Sequence, residues 1–175
     1  MNIVLIGYRG TGKSTVAEIL AKRLGMSVVS TDKMIIERAG KSIPDIVASS
    51  GWDYFRDLES EVIKDVSEFK DIIIDAGGGV IIRETNTKNL KKNGVVFWLT
   101  ASVPTIVKRI KADNQRPSLT GAKSFVEEVE EVLAQRVPLY KSAADFEVNT
   151  ECSVNDVVER IIDIWEREKK QRHSV

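Results

Sequence analysis

The chain of 175 residues has a single cysteine, Cys152, so no disulfide can close within it. It has a single histidine as well, and one His with one Cys is too sparse a ligand set for a zinc site. Cys152 therefore reads as a buried or idle thiol. An excess of charge of one sign is also missing. The 26 Lys and Arg balance 26 Asp and Glu, which argues against a surface built for nucleic acid or acidic lipid. No stretch approaches about 18 consecutive apolar residues, so no membrane span is expected. A core strand starts directly after Met1 and leaves no room for a signal peptide. The expectation is a cytoplasmic monomer. Internal repeats, low-complexity tracts and interdomain linkers are absent too, so residues 1–175 read as one domain, long enough to bury a real core.

What is present begins with Gly7-Tyr8-Arg9-Gly10-Thr11-Gly12-Lys13-Ser14-Thr15, a full match to G-x-x-x-x-G-K-[ST]. The apolar run Asn2–Ile6 precedes it, and Val16, Ile19, Leu20 and Leu24 follow at helical spacing. Strand, glycine turn and helix are thus in the order a phosphate-binding loop needs. The glycines let successive N–H groups turn inward onto an anion, and the helix N-terminus adds positive potential. Gly10, Thr11, Gly12, Lys13, Ser14 and Thr15 are the candidate nucleotide contacts. Lys13 suits the β- and γ-phosphates of ATP, and the Ser14 hydroxyl suits Mg²⁺.

Further strands are expected at Met26–Ser30, Asp71–Asp75, Val95–Leu99 and Phe146–Val148. Helices are expected between them, with Thr31 or Asp32 capping the second and Gly51 breaking a pair. Phe55, Leu58, Val62, Val66 and Phe69 form the apolar stripe of another. Pro138 should disturb the helix that starts near Ser124. The final helix should bury Val154, Val157, Val158, Ile161, Ile162 and Trp165. Alternating strands and helices imply an α/β fold, a parallel sheet with helices on both faces. Ligands then bind outside the carboxyl ends of the strands. Ser30–Asp32, Asp75–Gly79 and Thr100 all fall at that edge. The helices between about 32 and 69 are an insertion able to cover a ligand, and the polar stretch of about 113–123 reads as a lid.

A phosphate loop alone serves kinases, GTPases and motor ATPases alike. Asp32, Arg56, the glycine run Gly77-Gly78-Gly79, Arg116 and Arg136 narrow the choice. Two arginines on separate helices suit a carboxylate, and Asp32 suits a hydroxyl that must lose a proton. The GTPase reading lacks an Asn-Lys-x-Asp tetrapeptide. A kinase for another small acid such as gluconate, and a catalytically silent nucleotide-binding protein, are the alternatives.

Taken together, Gly7–Thr15, Thr31-Asp32, Ser42-Ile43-Pro44-Asp45-Ile46, Gly51–Glu59, Gly77-Gly78-Gly79-Val80, Arg116-Pro117-Ser118-Leu119 and Arg136-Val137-Pro138-Leu139-Tyr140 resemble the shikimate kinases over nearly the whole chain. The resemblance implies a nucleoside monophosphate kinase-like fold with strand order 2-3-1-4-5. It implies transfer of the γ-phosphoryl group of ATP to the 3-hydroxyl of shikimate, with Mg²⁺. By the same likeness Asp32 holds ring hydroxyls and acts as base, and Arg56 and Arg136 hold the carboxylate. Gly78 and Gly79 lie against substrate, Arg116 arrives on the lid, Arg109 stacks on adenine, and Trp52 lies near the substrate.

Two departures stand out. The family reads Asp-Thr-Asp where this chain has Ser30-Thr31-Asp32, so one carboxylate that orders metal-bound waters is missing. The segment Asn149–Val154 lacks the proline that packs on the base. Asp75, directly after Ile72-Ile73-Ile74, has the pattern of an acid closing a Walker B strand. It is the candidate, with Ser14, for the metal.

Overall fold

Alternate residues of the first strand face opposite ways, and that alternation builds two cores. In the computed structural model, which describes residues 1–112 and 125–173, strand β1 spans Asn2–Ile6 and is buried throughout. Ile3 and Leu5 join one cluster, with Val16, Ala17 and Leu20 of helix α1 (Lys13–Leu24). Val4 and Ile6 join the other. Residues on both faces are apolar because both faces are covered.

The remaining strands are β2 (Ser27–Ser30), β3 (Ile72–Asp75), β4 (Gly94–Thr100) and β5 (Phe146–Asn149). All pairs are parallel, and the order is β2-β3-β1-β4-β5, as expected. On the α1 side lies α7 (Val154–His173), which buries Val157, Val158, Ile161 and Trp165. On the other side lie α2 (Thr31–Ala39), α3 (Ile43–Ser67), α4 (Glu84–Asn93) and part of α6 (Phe125–Ala143). A third, smaller cluster joins Tyr8 to Ile106, Val107 and Ile110 of α5 (Val103–Ala112) and to Val129 of α6. The sequence from β2 to β3 contains helices and no strand. That arrangement sets α2 and α3 beside the carboxyl edge of β3.

Several local expectations need correction. Helix α2 is capped by Ser30, whose hydroxyl accepts from the Lys33 N–H at 3.4 Å; Thr31 and Asp32 are already helical. The Thr31 hydroxyl is committed elsewhere, accepting from the Gly77 N–H at 2.9 Å. Gly51 does break the helical path, as expected: at φ 83°, ψ 171° it separates two helices that meet across a kink, and α3 is the pair taken together. It ends at Ser67, which leaves Phe69 outside the helix and 46% exposed. Pro138 does not end α6, which runs on to Ala143. Tyr140 and Ala143 beyond it are buried in the core, and that burial offsets the roughly 3 kcal/mol an interior proline costs. In α7 the buried stripe begins at Val157, and Val154 stays at the surface. The expected lid with Arg116 lies outside the described residues.

Candidate active site

The phosphate loop is held open by backbone shapes that side-chain-bearing residues rarely adopt. Gly10 and Gly12 have φ of 80° and 90°. A Cβ on Gly10 would sit 2.9 Å from Ile110 Cγ1, so α5 presses directly on the loop. Gly12 is the left-handed residue from which α1 starts, and its carbonyl accepts from the Val16 N–H at 3.0 Å. Lys13 bends back across the loop and donates from Nζ to the carbonyls of Gly7 (2.8 Å) and Tyr8 (3.2 Å). Thr11 Oγ1 closes the turn by donating to the Tyr8 carbonyl at 2.7 Å. The result is a concave row of amides at a helix N-terminus, which is an anion site by construction.

A cleft of about 500 Å³ opens beside this loop and is lined by Lys13, Ser14, Ser30, Asp32, Asp75, Gly77, Gly78 and Arg109, among others. Ser14 Oγ donates to Asp75 Oδ2 at 2.7 Å. Asp75 ends β3, pairs in register with Ser30 of β2 and Leu5 of β1, and is 9% exposed. Among the described residues no three His, Cys, Asp or Glu side chains gather into a protein-built metal cage. The Ser14 hydroxyl and the Asp75 carboxylate are hard oxygen donors of the kind Mg²⁺ takes from protein, with phosphate and water completing its shell.

The glycine run after β3 is where the acid and the two arginines meet. A Cβ on Gly77 would lie 2.5 Å from Asp32 Oδ1, and one on Gly79 would lie 2.4 Å from both Arg56 Nη1 and Nη2. Arg136 Nη1 donates to the Gly78 carbonyl at 3.3 Å, and Tyr140 Oη donates to the same oxygen. At Gly77 and Gly79 charged groups from α2 and α3 occupy the space a side chain would fill, and at Gly78 it is the carbonyl that α6 engages. Asp32, Arg56, Gly78, Gly79 and Arg136 are therefore brought together.

Two supporting residues had no role from sequence. Glu59 is buried and accepts from Arg56 Nη1 at 2.6 Å. Burial raises its pKa, the Arg56 guanidinium opposes that rise, and Asp32 and Arg136 act on it more weakly from across the cleft. Tyr140 is pushed up to about 12, chiefly by burial, so it stays protonated and remains a donor at neutral pH. Both have a sequence signal. Glu59 follows Arg56 by three positions and Tyr140 follows Arg136 by four, each one helical turn away. Trp52 is 48% exposed and packs edge-on to Phe55, with Arg56 Cζ 5.4 Å from its ring centroid. It is a surface wall for the arginine and no part of the core.

On the other side of the loop a second cleft of about 450 Å³ is lined by Gly10, Thr11, Gly12, Thr15, Arg109, Thr150 and Cys152, among others. Arg109 donates to the Gly10 carbonyl (3.3 Å), Thr150 Oγ1 (3.0 Å) and the Thr150 carbonyl (2.8 Å). It ties the loop after β5 to the phosphate loop while lining both clefts. Thr150, missed from sequence, is itself anchored to the Thr100 carbonyl. Cys152 is exposed and not buried. Among the described residues no helix is long and apolar enough to cross a membrane.

Comparison with known proteins places this geometry. The family model described as shikimate kinase matches residues 9–166. A shikimate kinase of Thermodesulfovibrio yellowstonii is 42% identical over 167 residues, covering 95% of each chain. A solved structure of shikimate kinase from Acinetobacter baumannii in complex with shikimate superposes with a TM-score of 0.88 at 30% identity, covering 96% of this chain and 94% of that one. A gluconokinase from Sinorhizobium meliloti, at 13% identity and a TM-score of 0.59 over 97% and 96% of the two chains, shares the fold alone.

Proposed function

The chain belongs to the shikimate kinase family, and from that membership we propose that its cleft transfers the γ-phosphoryl group of ATP to the 3-hydroxyl of shikimate. The product, shikimate 3-phosphate, feeds chorismate and aromatic amino acid biosynthesis. The observation that carries the reading is the convergence of Arg56, Arg136 and Asp32 on Gly77–Gly79, next to the phosphate loop. Two fixed guanidiniums suit the shikimate carboxylate, and a nearby carboxylate suits its ring hydroxyls.

In this reading Gly10–Thr15 cradle the phosphates, and Lys13 leaves its loop carbonyls for the β- and γ-phosphates. Arg109 orders the adenine side. Arg56, held by Glu59, and Arg136, one turn from Tyr140, bind the carboxylate. Gly78 and Gly79 let the substrate approach the backbone. Asp32 takes the proton from the 3-hydroxyl as its oxygen bonds to phosphorus and the bridging bond to ADP breaks. Mg²⁺, when bound, neutralises phosphate charge, and Ser14 is a hydroxyl ligand placed for it. The helices of about 32–69 exclude water that would otherwise accept the phosphoryl group.

The test is an ADP-release assay coupled to a spectroscopic readout, run with shikimate and then gluconate. Shikimate-dependent ADP release with none on gluconate is expected. A gluconate-only signal, or nucleotide binding without turnover, would favour the rival acid kinase or the silent binder respectively.

A sharper prediction concerns Gly79. Its φ of −104° suits any residue, so an added methyl meets only the flexible end of Arg56. Gly79→Ala should displace the guanidinium, lower the melting temperature by loosening its pair with buried Glu59, and raise the shikimate KM about tenfold, roughly the effect of losing a charge-assisted contact. An unchanged KM would mean that Arg56 does not bind substrate from this position.

A further inference from the structure

We infer that Asp75 is the carboxylate of the metal site, holding Ser14 in ligand geometry and carrying the metal-side charge that Ser30 lacks. The inference rests on the kinase reading above and assigns the residue within it.

The geometry comes first. Ser14 Oγ and Asp75 Oδ2 are 2.7 Å apart. That is a hydrogen bond between a hydroxyl and a carboxylate, the hard-oxygen groups Mg²⁺ takes from protein, and both residues line the cleft beside the phosphate loop. By accepting the Ser14 hydrogen bond, Asp75 leaves a hydroxyl lone pair free to point at a cation. Its other oxygen is left for the metal or a metal-bound water.

The surroundings offer Asp75 no other task. Among the described residues it forms no ion pair with an arginine or lysine, and Ser14 is the side chain that bonds it. The 9% exposure of Asp75 keeps its carboxylate facing the cleft, with the Ser14 hydroxyl as its donor. It lies at the end of β3, beside the strand that feeds the phosphate loop, and lines the same cleft as Lys13 and Ser14.

Ser30 explains why the charge sits on β3. Ser30 and Asp75 are register partners on adjacent parallel strands, and both line this cleft. Partners in neighbouring strands are only about 4.8 Å apart, so a carboxylate on either can serve one cation. Ser30 is occupied as the cap of α2. Aspartate caps helices as well as serine does, so moving the charge to position 30 does not remove the cap.

The test measures ADP binding by calorimetry, with Mg²⁺ and with EDTA, and Mg²⁺ half-saturation at fixed ADP. The full-length protein is compared with Asp75→Asn and with Asp75→Asn combined with Ser30→Asp. Asparagine keeps an acceptor for Ser14, and thermal melts check the fold. Asp75→Asn should raise the Mg²⁺ needed at least tenfold, the scale of losing a partner that orients a ligand, and leave ADP binding in EDTA unchanged. The second substitution should restore most of the Mg²⁺ response. The inference is overturned if Asp75→Asn keeps the Mg²⁺ response of the parent, or weakens ADP binding equally with Mg²⁺ and with EDTA. A parent protein that binds no ADP under either condition would instead sink the kinase reading.

Discussion

Asparagine in place of Asp32 is expected to slow turnover by about 10²–10⁴-fold, the range a positioned general base supplies. Asp32 stands on the first turn of α2, with its Oδ1 where a Gly77 side chain would be. It lines the cleft alongside Lys13, so a hydroxyl held there is within reach of the phosphoryl group. Asparagine has nearly the same shape and still accepts a hydrogen bond, but it takes no proton at neutral pH. Steady-state kinetics should therefore show the loss in kcat, with shikimate KM changed little and ADP affinity unchanged. A kcat within about threefold of the parent would reduce Asp32 to a hydroxyl-binding residue with no part in proton transfer.

Removal of Arg136 should act on binding. Arg136→Ala should raise the shikimate KM about a hundredfold, the upper part of the 1.5–3 kcal/mol attached to a hydrogen bond with a charged group. The KM for ATP should move little. The reason is local. The Gly78 carbonyl keeps its Tyr140 donor when Arg136 is gone, so the glycine turn stays in place. Tyr140 is stacked on Trp98 at 5.6 Å between ring centroids and is buried, so it does not depend on the arginine for its position. Equal losses of shikimate and ATP affinity in a protein that melts normally would overturn the carboxylate clamp and assign Arg136 to general support of the cleft.

Most of the sheet was legible because each strand is a short apolar run with helical spacing on either side. Burial on both faces writes itself into the sequence as continuous hydrophobicity. The phosphate loop was legible because its backbone shape demands glycine at Gly10 and Gly12, and the chemistry demands Lys13 and Ser14 at once. The local misreadings share another cause. Pro138, Val154 and Phe69 were judged from propensity or periodicity alone. Pro138 is overridden by the buried Tyr140 and Ala143, while Val154 and Phe69 lie just beyond what the sheet can cover.

The sequence by itself determined the family, the parallel α/β architecture, the anion loop, and the residues Asp32, Arg56, Gly77–Gly79 and Arg136 as a set. Each of these follows from local spacing or from residue types that only one chemistry needs together. Which residues face one another was decided by tertiary structure. Side chains at Gly77 and Gly79 would run into Asp32 and Arg56 respectively, and Arg56 lies 23 positions from Gly79, a distance no helical or strand period can bridge. Glu59 gained its role only when α3 buried it beside Arg56. Asp75 met Ser14 because β3 and the loop after β1 end at one edge of the sheet, an alignment set by strand pairing and invisible to either segment alone.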